Sequence, residues 1–383
     1  MKSIRSLLFI TALTLSLTAC STFFDKDNTP APTPLTSFKP ALTAKADWMT
    51  RTGPGAKNEY LKLTPAISDN QIFTSSNDGT VTALDKETGK KIWSVGLKNS
   101  ITTGVALNEN LLFIGTDRGE LLALNKTNGN LVWHTRTSSE MLASAASADG
   151  IVLVKTVDGN LSAFKTTDGH LLWHYQQTEP TLILRGASVP QITNGTTVVG
   201  FENGALVKLS LQDGRPIWQS TIAQPTGSFA IQRMIDIDAD PLIMGGRVYT
   251  ATYQGQLAAL ELSTGRVLWT HDFSSDSGLA SDGKALYATD VQGNVWAFDV
   301  DTGSVYWRQS QLLARGLTAP VLFANAVVVG DAEGYLHWLD KADGHFIGRA
   351  FTNKSGLLAS PLADQNDLYI YTKDGHLGAY SIR

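Results

Sequence analysis

Cysteine is almost missing from the sequence: Cys20 is the only one in 383 residues. A single thiol cannot form a disulfide within the chain. It also cannot supply the cysteine pairs that are typical of structural zinc sites and of thiol redox centres. Disulfide stabilisation and paired-cysteine chemistry are therefore excluded for the single chain.

An excess of basic residues is missing as well. The chain has 31 Lys and Arg against 35 Asp and Glu, which gives a formal net charge of -4 at pH 7. Proteins that bind nucleic acid present a basic face to the phosphates. The charge balance therefore argues against a nucleic-acid partner.

Motifs of the common enzyme classes are also missing. The sequence has no H-E-x-x-H zinc motif, no Walker phosphate-binding loop and no G-x-S-x-G nucleophile elbow. His134, His174 and His271 each follow a repeated tryptophan instead of forming a cluster. These motifs thus give no positive evidence for an enzyme, and we expect that the protein is not an enzyme and has no cofactor.

Only the amino terminus has a long apolar run. Lys2 and Arg5 precede apolar residues that extend from Leu7 to Leu17, a run too short to span a bilayer. This pattern predicts a secretory signal peptide over residues 1–19. The following tetrapeptide, Leu17-Thr18-Ala19-Cys20, resembles the bacterial lipobox, although an ordinary cleavage site before a cysteine is the alternative.

The lipobox resemblance implies that Cys20 is lipidated, with palmitate among its acyl chains, and becomes the first residue of the mature chain. Two or more acyl chains give stable membrane anchoring. Ser21 follows Cys20 where an Asp would tend to retain a Gram-negative lipoprotein at the inner membrane, so the resemblance implies the periplasmic face of the outer membrane. Residues 20–44 are rich in Pro and Thr and are predicted to form a flexible tether.

A repeat fills the rest of the chain. In six copies, a Gly precedes a second Gly by ten residues and a Trp by fourteen, as in Gly119, Gly129 and Trp133. The second Gly lies in a hairpin-turn signal between segments with strand-like alternation. The first glycines recur about every 40 residues, a period typical of β-propeller blades with four short strands each.

Counting the first glycines gives eight units, so the sequence predicts an all-β fold. We expect an eight-bladed β-propeller of four-stranded antiparallel blades over residues 45–383. The seventh unit is weak, because Gly348 replaces the expected Trp, and the last unit lacks its Trp-bearing strand. The segment around Trp48 is predicted to pair with about 356–380, so that N- and C-terminal strands together close the ring.

Seven of the nine tryptophans then share one position in the repeat. A large ring that recurs once per blade is expected to pack between neighbouring blades. An aromatic cage for a ligand is the alternative. These tryptophans are Trp48, Trp93, Trp133, Trp173, Trp218, Trp269 and Trp307.

Two links between blades are longer than the others, at about 174–186 and 219–237. Both are predicted to lie on one face of the ring, where they flank blade four, and departures from a repeat are where function is expected. In the first link, Leu182 and Leu184 next to Arg185 suit a partner contact with an apolar anchor and a charge. The alternative is that the two leucines begin an inner strand and pack inward.

The second link contains Asp236 and Asp238, which alternate with isoleucines. Both carboxylates would project to one side of an extended segment. Such a pair could serve as acid–base groups or calcium ligands. A solvated loop, or a salt bridge to Arg185 or Arg233, is the commoner arrangement for such residues.

The repeat unit resembles the quinoprotein-type propeller repeat A-x-D-x-x-T-G-x-x-x-W, which Ala83–Trp93 matches at each defined position. Quinone-dependent dehydrogenases share this repeat, but they would have a longer chain, a vicinal cysteine pair and a calcium site. The lipobox, the length, the eight units and the two long links together resemble the BamB family, lipoproteins of the outer-membrane β-barrel assembly machinery, the BAM complex.

This resemblance implies a non-enzymatic scaffold without a cofactor. Such a scaffold binds the POTRA domains of BamA and assists the insertion of β-barrel proteins into the outer membrane. Free strand edges would also hold nascent outer-membrane β-barrel proteins by β-augmentation. A lipoprotein propeller for another envelope protein or a glycan is the alternative. The partner contacts implied by the resemblance are Leu182, Leu184, Arg185, Asp236 and Asp238.

Overall fold

The computed structural model describes residues 30–186 and 188–382, and it confirms the predicted all-β, eight-bladed propeller. The predicted signal peptide at 1–19 and the lipidation at Cys20 lie outside these residues. The part of the chain that the structure describes contains one short 3-10 helix, Ala230–Arg233. Accordingly, no helix within it has the length and apolar character of a membrane span.

Each blade is a four-stranded antiparallel sheet whose strands follow one another from the centre of the ring outward. After β1 (Ala44–Arg51), blades one to four contain β2 (Ala66–Ser68), β3 (Gln71–Ser75), β4 (Thr80–Asp85), β5 (Lys91–Gly96), β6 (Ala106–Leu107), β7 (Leu111–Gly115), β8 (Glu120–Asn125), β9 (Leu131–Arg136), β10 (Ala146–Ala148), β11 (Ile151–Lys155), β12 (Asn160–Lys165), β13 (Leu171–Gln176), β14 (Gln191–Thr193), β15 (Thr196–Gly200), β16 (Ala205–Ser210) and β17 (Pro216–Thr221). Blades five to eight contain β18 (Leu242–Met244), β19 (Arg247–Ala251), β20 (Gly255–Glu261), β21 (Val267–Phe273), β22 (Ala280–Ser281), β23 (Ala285–Thr289), β24 (Val295–Asp299), β25 (Val305–Gln309), β26 (Val321–Phe323), β27 (Ala326–Gly330), β28 (Tyr335–Asp340), β29 (Phe346–Phe351), β30 (Leu362–Asp364), β31 (Asp367–Tyr371) and β32 (His376–Ile382).

The second and third strands of each blade form the core. In blade two, Phe113 on β7 lies opposite Ala123 on β8, and both side chains are fully buried. Leu112 and Leu124, which point to the other side of the same sheet, are fully buried as well. Because neighbouring blades cover both sides of each sheet, these strands are continuous apolar runs.

The ring closes as the sequence predicts. Strand β1 pairs antiparallel with β32, from Ala44 opposite Ile382 to Arg51 opposite His376. Blade eight therefore consists of β30, β31 and β32 from the end of the chain and β1 as its outer strand. This pairing removes the open edge that would otherwise remain between the first and last blades.

The repeated tryptophans join each blade to the next one. The indole N–H of Trp133 donates a hydrogen bond of 2.9 Å to the carbonyl of Thr166. Its ring lies against Gly169, where a Cβ would come within 2.6 Å of the ring. Gly169 has φ 72°, which glycine adopts without strain. The same type of hydrogen bond recurs at Trp48, Trp93, Trp173, Trp218, Trp269 and Trp307.

The joint between blades seven and eight differs. Blade eight takes its outer strand from the start of the chain, so it has no turn between its third and fourth strands for a tryptophan to cover. Leu42 lies there instead, and a Cβ on Gly348 would be 2.3 Å from its Cδ1 atom. The N–H groups of Ala41 and Leu42 both donate to the carbonyl of Ile347, at 2.8 and 3.0 Å. The missing turn explains why the seventh unit lacks its tryptophan.

Residues 33–42 pack against blades six and seven. Phe38 contacts Phe346 with 5.7 Å between the ring centroids. The guanidinium of Arg349 lies over the Phe38 ring, 4.9 Å from its centroid. The prediction of a flexible tether over 20–44 is therefore wrong for this segment, because its few apolar side chains pack on the ring.

Candidate functional site

Antiparallel blades divide the connections between two faces of the ring. We call one the turn face, because it carries the tight turn between the third and fourth strands of each blade. The other is the link face, which carries the turns between the second and third strands and the links from blade to blade. Among the links that the structure describes, 222–241 is the longest, and 177–190 is as long as 52–65, which joins blades eight and one. The links 177–190 and 222–241 lie on the link face and flank blade four.

The first of these links presents Leu182 and Arg185 to solvent. Leu182 is 43% exposed, the Arg185 side chain is 48% exposed, and Leu184 is half-buried. The inner strand of blade four begins only at Gln191. The alternative in which the two leucines begin that strand is therefore wrong.

Arg185 forms its ion pair with Glu140, which lies in the link between blades two and three. The distance from Arg185 Nη2 to Glu140 Oε1 is 2.8 Å. Neither of the predicted aspartates is its partner. An ion pair this exposed contributes at most about 1 kcal/mol to stability, so little free energy opposes exchange of Glu140 for another carboxylate.

Asp236 and Asp238 lie beneath this loop and are buried, with exposures of 0% and 5%. The carboxylate of Asp236 accepts the backbone N–H of Leu184. The carboxylate of Asp238 lies under Gly186, where a Cβ would be 2.4 Å from one oxygen. Direct contact of these two carboxylates with a partner, as the resemblance implies, conflicts with their burial. They shape the loop from below.

Asp240 belongs to the same arrangement, although it is not in the predicted set. Its carboxylate accepts the backbone N–H of Val189 at 2.7 Å. Asp236 and Asp240 thus fix the loop at Leu184 and at Val189, and Asp238 lies between them. The sequence signal was available, because Asp240 continues the spacing of two residues that joins Asp236 to Asp238.

Further charged groups are buried next to this segment. Lys155 and Glu202 form an ion pair of 2.6 Å with both side chains at most 1% exposed. Burial, together with the charge of Glu202, raises the pKa of Glu179 to about 9. Burial likewise raises the pKa of Asp236 to about 6 and that of Asp238 to about 8. Protonation of Glu179 at neutral pH therefore reduces the negative charge buried beneath the loop.

In the described part of the chain, one group of side chains has the spacing of metal ligands. Asp340, Asp343 and His345 could share an ion. They lie on the turn face, and Asp343 and His345 are exposed. The His345 ring is hydrogen-bonded to Asp343 at 2.5 Å. This group is remote from the two long links and contributes nothing to their surface.

The second long link adds apolar groups that the sequence prediction did not include. Phe229 and Ile231 are 68% and 62% exposed at the short helix Ala230–Arg233. A cavity of about 220 Å³ separates this helix from the first link, and its lining residues are Pro180, Thr181, Leu182, Pro225, Ala230 and Arg233. We call five exposed apolar and basic side chains of the two links the two-link surface; they are Leu182, Arg185, Phe229, Ile231 and Arg233.

Comparisons with known proteins agree with the fold over almost the whole chain. The family model described as outer membrane protein assembly factor BamB matches residues 77–309. The chain is 35% identical to that factor of Escherichia coli (strain K12) over 390 residues, 99% of each chain. It is 42% identical to that of Pseudomonas aeruginosa over 372 residues, 97% of each chain.

A solved structure gives the same result. The crystal structure of BamB from Moraxella catarrhalis matches with a TM-score of 0.82 and 28% sequence identity, covering 88% of this chain and 99% of that one. Identity and coverage of this extent include the repeats as well as the links between them. The chain therefore belongs to the family of the outer membrane protein assembly factor BamB.

Proposed function

We propose that the protein is a non-enzymatic scaffold of the BAM complex, which binds the POTRA domains of BamA and assists the assembly of β-barrel proteins in the outer membrane. Membership of the BamB family supports this proposal. The observation that carries it is the loop around Arg185: where the chain departs from its repeat, a charged and an apolar side chain are exposed on a loop held from below.

The hydrogen bonds beneath the loop explain why it suits recognition. The carboxylates of Asp236 and Asp240 hold the backbone at Leu184 and Val189. A loop that is ordered before binding loses less conformational entropy when the partner docks. The buried aspartates therefore contribute to binding by positioning the loop.

The exposed groups supply the contact itself. Covering the exposed part of Leu182 would contribute about 1 kcal/mol from apolar burial. The guanidinium of Arg185 can donate to a carboxylate of the partner in place of Glu140, and charge pairing of this kind fixes the register of two proteins. Leu184, half-buried and held through its N–H group, has a smaller part in this contact.

Two further components of the proposal concern the membrane and the client proteins. Lipidation of Cys20 would keep the protein on the periplasmic face of the outer membrane. The outermost strands would offer their free backbone edge to nascent β-barrel strands. In favour of this second contact, Leu131 and Val132 at the start of β9 are each 50% exposed.

The test is co-purification of BamA with the wild-type protein and with Arg185→Ala, with a thermal melt of each. Arg215→Ala is the matched control, because Arg215 is also an exposed arginine in an ion pair, 3.0 Å from Asp213, but lies on the turn face. We expect Arg185→Ala to lose BamA at an unchanged melting temperature, while the control retains it. Unchanged co-purification of Arg185→Ala, or a loss that follows a lower melting temperature, would contradict the proposed contact.

A further inference from the structure

The short helix in the second long link exposes two large apolar side chains, one on the residue before the helix and one on its second residue. Phe229 and Ile231, at 68% and 62%, have the highest exposures among the large apolar residues that the structure describes. Single exposed apolar residues are common on protein surfaces and need no explanation. Two within one turn, at a helix that lines a cavity together with the exposed Leu182, concentrate apolar surface of the kind that marks an interaction site.

This turn is built to hold its shape. The side-chain oxygen of Gln232 accepts the backbone N–H groups of Ser228 and Phe229, at 3.1 and 3.2 Å. The N–H of Gln232 donates to the Phe229 carbonyl at 3.0 Å. From blade five, the amide of Gln254 donates to the carbonyl of Ile231 at 3.2 Å. The two apolar side chains are therefore presented on an ordered backbone.

A concave site lies between this turn and the first link. Its volume is about 220 Å³, which accommodates one aliphatic or aromatic side chain. Pro180, Leu182 and Pro225 provide apolar walls, and Arg233 is also among the lining residues. A partner that covers Phe229 and Ile231 can therefore place a side chain of its own between the two links.

The exposed charges around this site are positive. Arg185 is half-exposed beside Glu140. Arg233 is exposed, and within the described ranges it forms no ion pair. Asp236 and Asp238, which would otherwise balance these charges, are buried beneath the loop. The complementary partner surface is therefore apolar and acidic.

We infer that Phe229 and Ile231 form a second apolar anchor for BamA, and that the two-link surface binds an apolar segment of BamA flanked by carboxylates. This inference rests on the proposed function and extends it to the second link. One apolar side chain of BamA occupies the cavity beside Leu182, and its carboxylates pair with Arg185 and Arg233. A concave site favours a protein side chain over a flat lipid surface.

The experiment measures the affinity of the full chain for full-length BamA in detergent by biolayer interferometry. Phe229→Ser/Ile231→Ser is compared with Leu171→Ser/Leu172→Ser, a control that removes two apolar side chains of 46% and 43% exposure near the opposite face. We expect the first variant to bind about tenfold more weakly, equal to about 1.4 kcal/mol. The control stays within about twofold of the wild type, and both melting temperatures are unchanged. Arg233→Glu, which reverses an exposed charge, is expected to weaken binding as well.

Each remaining outcome contradicts one of the two proposals. If the wild type fails to bind BamA, the proposed function fails. If Arg185→Ala loses binding but Phe229→Ser/Ile231→Ser and Arg233→Glu bind as the wild type does, the second anchor alone is overturned. Loss of binding to phosphatidylglycerol vesicles, with BamA affinity unchanged, would assign Phe229 and Ile231 to a membrane contact. Loss of self-association in sedimentation, again with BamA affinity unchanged, would assign them to a second copy of the chain.

Discussion

The turn face and the link face of the ring keep the repeat to different degrees. On the turn face, each repeated tryptophan covers the turn of the next blade, and its N–H donates to a carbonyl there over 2.8–3.2 Å. On the link face, the connections flanking blade four extend over 177–190 and 222–241. A turn that must fit its neighbour is constrained by packing, whereas a link that faces solvent is free to lengthen and carry contacts.

The joint between blades seven and eight supports this interpretation, because it lacks both the turn and the tryptophan. There the adjoining turn does not exist, the tryptophan is replaced by Gly348, and Leu42 takes its place. The repeat is therefore kept only where a neighbouring turn requires it. We conclude that the repeats provide the stability of the ring, and that the surface of the long links is available for recognition.

The largest effect is expected at a tryptophan joint. Trp133→Ala removes a buried indole and its hydrogen bond to Thr166, and should lower the free energy of unfolding by about 3–5 kcal/mol. Tyr306→Ala removes an exposed aromatic side chain from an outer strand and should cost less than about 1 kcal/mol. Urea denaturation measures both. Equal losses of unfolding free energy in the two variants would contradict the conclusion that the tryptophan joints stabilise the ring.

A smaller effect is expected on the pH dependence of the melting temperature, which should differ between a buried aspartate of the link face and an aspartate of the turn face. Burial raises the pKa of Asp238, beneath the link-face loop, to about 8, from about 3.9 in the unfolded chain. The folded state therefore holds this proton more tightly. The resulting stabilisation is complete below about pH 4 and is lost as the pH rises through about 8. From pH 5.5 to about 8.5, the melting temperature of the wild type should fall more than that of Asp238→Asn.

Asp299 on the turn face is the matched control for this measurement. Hydrogen bonds from Tyr306 and Thr302 lower its pKa to about 2. Its contribution is present above its unfolded pKa and is lost only as the pH falls through about 2. Asp299→Asn should therefore leave the change between pH 5.5 and about 8.5 as in the wild type. If the melting temperatures of the wild type and of Asp238→Asn fell equally between pH 5.5 and about 8.5, the raised pKa of Asp238 would be contradicted.

The ring and its closure could be predicted from the sequence, because each full repeat has the same tryptophan and glycines, which must fit the neighbouring blade. Trp48 could be assigned to blade eight since it completes a motif that the last unit lacks. Residues 33–42 could not be placed, because their Pro and Thr content suggests a tether and their contacts depend on a gap at Gly348 that only the folded ring creates.

The candidate site could be predicted only in part, because its contacts also depend on the folded ring. Alternation predicted that Asp236 and Asp238 project to one side of an extended segment, but it carries no information on the loop that covers them. Phe229 and Ile231 gave no periodic signal, because their link has no regular strand. Glu140 lies far from Arg185 in sequence, so their ion pair was visible only in the fold.

The most direct test compares two leucines of equal exposure on opposite faces. Leu182 on the link face and Leu172 near the turn face are both 43% exposed. The measurement is the dissociation constant for BamA, with the melting temperature, of Leu182→Ser and Leu172→Ser. We predict that Leu182→Ser binds about fivefold more weakly, equal to about 1 kcal/mol, while Leu172→Ser binds as the wild type does and neither variant melts earlier. Equal affinities for the two variants, or weaker binding by Leu172→Ser, would contradict the assignment of recognition to the link face.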